Sequence, residues 1–138
     1  TLESRQQLRV TVPVTIKNNA HTTALGKSIL SAMEEKAALK IISDMYASKE
    51  NQSSQFTETE FINYIRTIRT DGFAIDNEDD AIGYRCVAAP IFNFKGDPIA
   101  AISISAPTSR VSLGELKKIG GELAAMLDNL KRTNPLLF

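Results

Sequence analysis

The sequence predicts an α+β domain in which helices flank an antiparallel sheet. Three observations predict it. Two strand-forming runs are separated by a short glycine-containing segment, two helices open on capping boxes, and strands and helices do not alternate regularly. At 138 residues, 43% hydrophobic and 23% charged, the chain holds enough apolar material for one compact core, so residues 1–138 read as a single domain.

Taken in order, Leu8, Val10, Val12, Val14 and Ile16 alternate with more polar neighbours, which predicts a half-buried strand over Gln7 to Ile16. Pro13 cannot donate a ladder hydrogen bond, so that strand belongs on an edge or carries a bulge. Thr22 to Met33 follows as a short amphipathic helix, with Thr22 or Thr23 as its cap and Leu25, Ile29, Ala32 and Met33 as its apolar stripe. Ala38, Leu39, Ile41, Ile42 and Met45 mark a second helix, and Ser48 to Gln55 is a polar loop. Thr57 and Glu60 form a capping box ahead of Phe61, Ile62, Ile65 and Ile68, and Asp71-Gly72 ends that helix. Phe73 to Asp76 is extended, and Asn77 to Gly83 is an acidic loop.

The runs Tyr84 to Phe92 and Pro98 to Ser105, joined by Asn93 to Asp97, then make a β-hairpin. Ser112 and Glu115 form a second capping box opening a closing helix to about Thr133, with Leu116, Ile119, Leu123, Met126, Leu127 and Leu130 as its buried stripe. Gly120 and Gly121 inside it each cost about 1 kcal/mol relative to Ala, which either close approach of another backbone or a tolerated weak spot on a helix held by packing would explain.

Sixteen basic residues balance sixteen acidic ones, whereas a nucleic-acid-binding surface normally carries a basic excess, so nothing in the composition marks a DNA grip. The apolar runs fall short of the ~20 residues that a membrane span needs. One cysteine forms no internal disulfide, and with no secretory leader at the start a soluble, cytoplasmic protein is expected.

The segment Gly72-Phe-Ala-Ile-Asp-Asn-Glu-Asp-Asp-Ala-Ile-Gly-Tyr-Arg-Cys-Val-Ala-Ala-Pro-Ile-Phe-Asn93 carries Gly, Asp, an acidic pair, Gly and Cys at intervals that resemble the signature of IclR-type bacterial transcription regulators. Ahead of it, His21-Thr-Thr-Ala-Leu-Gly-Lys27 resembles that family's His-Ala-Thr-Ala-Leu-Gly-Lys segment. Behind it, Ala101-Ile-Ser-Ile-Ser-Ala-Pro107 resembles its Ser-x-Ser-Gly-Pro strand end. The resemblance covers essentially the whole chain. It implies a GAF-like effector-binding domain: an antiparallel sheet of about six strands in the complete domain, the first strands missing here, flanked by helices. It also implies a winged helix-turn-helix before the point where this sequence starts, so the chain is expected to be a fragment that reaches DNA only through that absent N-terminal domain.

Candidate site residues follow from the residues and from the resemblance together. Ser103 and Ser105, two apart on a strand, present their hydroxyls on one face. By resemblance they line an effector pocket and hold the polar head of a small organic acid; on their own they read rather as solvent-facing positions of an amphipathic strand. Ala24, Leu25 and Gly26 match another pocket wall, at a helix start whose unpaired amides favour an anion, although packing of Gly26 against the sheet explains that glycine as well. Asp76, Tyr84 and Cys86 match acidic, apolar and thiol positions near the effector, and Asn18 falls on a further wall. The sequence departs from the family pattern at Asp79 (usually Glu), at Ala106 (usually Gly), and at Asn18 and Asn19 (often Leu and Pro). These last changes suit a more polar effector, such as a sugar acid or hydroxy acid.

Asp76, Glu78, Asp79 and Asp80 lack the calcium-loop spacing of an EF-hand, and they read as a solvated acidic loop from which Asp76 alone turns inward; no metal and no cofactor are expected. Cys86 reads as a small, weakly polar wall. A nucleophilic Cys86 needs a lowered pKa and a base, for which His21 is the one histidine. The expected function is effector sensing and homo-oligomerisation, dimeric or tetrameric by resemblance. The rivals are a GAF-like enzyme using Cys86 and an assembly module with an empty pocket.

Overall fold

The structure is a computed structural model, and it describes residues 2, 5–8, 20–48 and 55–135. The expected strand over Gln7 to Ile16 lies outside the described residues except for a bend at 5–8, and so do Asn18, Asn19 and most of the polar loop after Ser48.

Helix α1 (Ala24–Ala32) starts where Thr23 accepts the Gly26 amide proton on its side-chain oxygen, at 3.2 Å. Helix α2 (Glu35–Ala47) is capped by the Glu34 carboxylate, which takes the Lys36 and Ala37 amides. Helix α3 (Glu58–Asp71) opens on the Thr57/Glu60 capping box and closes on Gly72 at φ 84°, a left-handed position that glycine adopts without a Cβ clash. Strands β1 (Ala74–Asn77), β2 (Tyr84–Phe92) and β3 (Pro98–Pro107) form an antiparallel sheet in the order β1-β2-β3 among the described residues. The β2–β3 loop is tied by Asn93, whose side-chain oxygen accepts from the Lys95 and Asp97 amides at 2.9 Å each. Helix α4 (Leu113–Thr133) opens on the Ser112/Glu115 box. The α+β architecture of the sequence reading therefore stands, and β3 runs two residues beyond the expected Ser105.

Five successive residues of β2, Cys86 to Pro90, are buried. Side chains alternate along a strand, so this requires cover on both faces. Helix α1 supplies it on the Cys86/Ala88 face, where Ala24 packs against both, and α4 packs over β2 and β1 from the other. Leu30 of α1, Ile42 of α2, and Phe61, Ile65 and Ile68 of α3 join Ala74 in the main apolar cluster. At the margin of β1, the Tyr64 hydroxyl accepts from the Ile75 amide and donates to the Ile75 carbonyl, both at 3.1 Å.

Three expectations need correction. The stripe Leu25, Ile29, Ala32 and Met33 is not the buried face of α1: Ile29 is 43% exposed, while Ala24, Lys27, Ser28, Leu30 and Ser31 are buried. Helical spacing defines a stripe, and its partners decide which one is buried: Leu30 enters the apolar cluster while Lys27, on the same side, meets the acidic loop. In α4 the buried residues are Leu116, Gly120 and Leu123, whereas Met126 and Leu130 are exposed, because only the row through Leu116, Gly120 and Leu123 faces the sheet. Gly120 accommodates a side chain, not a backbone: a Cβ there would overlap the Phe73 ring, and one on Gly121 would meet nothing within 4 Å.

Candidate functional site

The strand register brings the sequence-expected residues into two adjacent rows. Asp76 pairs with Cys86 and Cys86 with Ser105, while Ala74 pairs with Ala88 and Ala88 with Ser103. Alternation puts both rows on one face, the face that α1 crosses. Ser103 and Ser105 are half-buried, and Ser105 donates to the Cys86 sulfur at 3.2 Å. Ile102 and Ile104, by contrast, are exposed at 41% and 42%. The serine face is therefore the covered one, and the solvent-facing reading of the serines is not what the fold shows.

Above these rows stands the first turn of α1. Its Ala24 is fully buried against Cys86 and Ala88, with Leu25 and Tyr84 packed beside them. The amides of Ala24 and Leu25 precede the first intrahelical bond, which runs from the Lys27 amide to the Thr23 carbonyl, so the helix itself cannot satisfy them. Gly26 behaves differently. Its amide serves the Thr23 cap, and a Cβ there would fall 2.6 Å from the Ala20 carbonyl oxygen. The close approach that demands glycine is to the preceding turn, not to the sheet as expected.

Asp76 is 1% exposed. One carboxylate oxygen accepts the Asp79 and Asp80 amides at 2.8 and 3.3 Å. Burial pushes its pKa up, and the two amides and nearby Lys27 offset only part of that rise. Asp76 is the one buried carboxylate of the acidic loop, as expected; Asp80 and residues 81–83 are exposed, yet the loop is tied down by hydrogen bonds. Asp80 accepts from the Thr22 hydroxyl at 2.9 Å and the Tyr84 hydroxyl at 2.6 Å, Glu78 takes the Gly83 amide at 2.9 Å, and Asp79 is ion-paired to Lys27. Burial and the Asp80 carboxylate together push the Tyr84 hydroxyl well above its ordinary range.

Lys27 is the residue that sequence reasoning missed. It is fully buried, it donates to the Ile75 carbonyl at 3.2 Å, and its ammonium lies 5.6 Å from the Tyr64 ring centroid and 5.9 Å from that of Phe56. The signal was present: an acidic segment with a buried Asp76 favours a nearby cation, and Lys27 is three residues from Ala24, on the same helix face. Among the described residues, His21 Nε2 and Ser28 Oγ are buried without a hydrogen bond. Burial, then the Lys27 charge, depresses the His21 pKa, so the imidazole is neutral at neutral pH. Burial raises the Cys86 pKa against the hydroxyls of Ser105 and Ser103, which leaves a thiol rather than the thiolate that a nucleophile requires.

Against known proteins, residues 1–132 match the family model described as the C-terminal part of bacterial transcriptional regulator IclR. The chain is 33% identical over 132 residues to the HTH-type transcriptional regulator KdgR of Escherichia coli K12, covering 95% of this chain and 48% of that protein. It is 28% identical over 113 residues to the Transcriptional repressor IclR of the same organism, with 82% and 41% covered. It thus spans less than half the length of these curated relatives. Among solved structures, the Thermotoga maritima IclR superposes with a TM-score of 0.81 at 25% identity, over 97% of this chain and 54% of that one. The C-terminal domain of E. coli KdgR gives 0.65 at 30% identity, over 83% and 68%.

Proposed function

The chain belongs to the IclR family of bacterial transcriptional regulators, as their C-terminal domain, and on that premise we propose that it senses a small organic or sugar acid. One observation carries the reading: hydroxyls of Ser103 and Ser105, the Cys86 thiol and the first-turn amides of α1 share one covered face, with the buried Asp76 carboxylate at the end of the same row. Amide and hydroxyl donors suit a carboxylate, and a carboxylate acceptor suits a ligand hydroxyl. A hydroxy acid or sugar acid offers both groups. Leu25 and Tyr84 supply apolar contact beside them.

The domain acts as a switch. A ligand that binds one arrangement of the domain more tightly than another shifts the population toward it, and no other route moves such an equilibrium. The relatives are HTH-type regulators roughly twice the length of this chain, so the shift reaches DNA through the part of the protein that precedes this domain. Assembly as a homodimer or homotetramer, in the cytoplasm, would carry the change between subunits. The raised Cys86 pKa disfavours the rival in which this thiol is a catalytic nucleophile.

A thermal-shift panel of small organic acids and sugar acids tests the proposal, because a ligand that binds the native state alone must raise the melting temperature. The best hit is expected to bind about tenfold more weakly to Ser103→Ala or Ser105→Ala, the loss of one hydrogen bond to a charged group. Unchanged affinity in both variants overturns the site. A panel without a single hit favours the assembly-module reading instead.

A further inference from the structure

A cleft of about 520 Å³ opens on the side of β1 away from Asp76, inside the roughly 300–1,000 Å³ typical of small-molecule sites. Ile75 and Asn77 line it, whereas Ala74 and Asp76, the alternate residues of the strand, turn to the serine face. The two sites lie on opposite sides of β1 and approach each other only at Asp79, which lines the cleft while its amide donates to Asp76. The cleft wall is apolar and aromatic, built from Phe56, Tyr64, Ile68, Phe73 and Leu113 along with Ile75. Phe56 and Tyr64 stack at 5.7 Å with 12° between their planes, which makes a rigid flat surface. The Tyr64 hydroxyl is committed to the Ile75 backbone and leaves the cleft little polar demand of its own.

Charges stand around this apolar body. Asp79 is already neutralised by Lys27, but Asp71 and Lys117 enter no ion pair among the described residues. Asp71 is the last residue of α3, where the helix carbonyls add to its negative field, an arrangement that a bound cation relieves. Lys117 comes from α4 and offers the opposite charge. We infer that this cleft is a second ligand site, for a free α-amino acid with an apolar or aromatic side chain, its ammonium at Asp71, its carboxylate at Lys117 and its side chain on the Phe56–Tyr64 wall.

The test is an amide NMR titration of the 138-residue chain with free L-phenylalanine. Shifts are expected at Tyr64, Ile75 and Leu113, and Asp71→Asn and Lys117→Gln, both at exposed positions, are each expected to weaken binding roughly fivefold, the scale of a solvent-screened charge contact. Thr67→Trp, which fills the cleft from its rim, should abolish it. Phenethylamine should lose affinity only with Asp71→Asn, and 3-phenylpropionate only with Lys117→Gln. No shifts at millimolar ligand, shifts centred on Cys86 and Ser103, or affinity untouched by the three variants would each overturn the inference.

Discussion

Replacing Lys27 with methionine keeps the side-chain length and deletes the charge, which makes it a direct test of what the buried ammonium contributes. Lys27 has no exposed surface, and its partner Asp79 has a side chain 13% exposed. Removing one member of a buried pair costs about 3–5 kcal/mol, because the survivor is left charged and unpaired. Asp79 can turn toward water and the Ile75 carbonyl retains the Tyr64 hydroxyl, so Lys27→Met belongs near the lower figure, about 3 kcal/mol. The opposite change, Asp79→Asn, strands the ammonium where no solvent reaches it and belongs near about 5 kcal/mol. At this chain length about 3 kcal/mol corresponds to a fall in melting temperature of roughly 10 °C. Urea unfolding followed by circular dichroism, at fixed protein concentration, measures the losses, with an unchanged m-value as the control. The double variant Lys27→Met/Asp79→Asn should lose less than Asp79→Asn alone, since neither charge is then stranded. A Lys27→Met protein within about 0.5 kcal/mol of the parent, the range of a neutral surface change, would refute the reasoning, as would losses that simply add.

Asp76 carries a pH signature. Its folded pKa is raised above the unfolded value of 3.8, so between the two the native state binds more protons than the unfolded one and stability falls as pH rises. Asp76→Asn keeps an oxygen for the Asp79 and Asp80 amides, and it should be more stable than the parent at pH 7, with the gain vanishing as pH falls through 3.8; melts across that range would show it. Gly120→Ala should destabilise by about 1–3 kcal/mol through overpacking on Phe73, while Gly121→Ala should stabilise by about 1 kcal/mol through helix propensity; equal effects in chemical denaturation would contradict the packing described. Cys86 should resist a charged thiol reagent in the native protein at pH 8 and react fully in urea, and prompt native labelling would revive its reading as a nucleophile.

What the sequence made legible follows from how local each signal is. Both capping boxes, the Gly72 stop and the limits of β2 rest on neighbours within a few residues, and the structure has them within a residue or so of where the pattern puts them. The two serines were legible for the same reason, because period-two geometry fixes which residues share a face. The buried face of α1 was not. Leu25 and Ile29 give as good a helical stripe as Ala24, Lys27 and Ser31, and only the distant acidic loop decides between them. The loop's exposure and the inward turn of Asp76 were legible, but the partners that anchor it, Thr22, Tyr84 and Lys27, come from elsewhere in the chain. Gly120 illustrates the same limit: its neighbour Phe73 lies 47 positions away, beyond any local pattern.

The hydroxyl of Tyr64 occupies both hydrogen-bonding positions that Ile75 turns outward, places that an incoming strand would otherwise use. A sheet can in principle be lengthened sideways at either border. Within the described sheet the β1 border is plugged at Ile75 by a single phenol, so a further strand finds no free pair of backbone groups at that position.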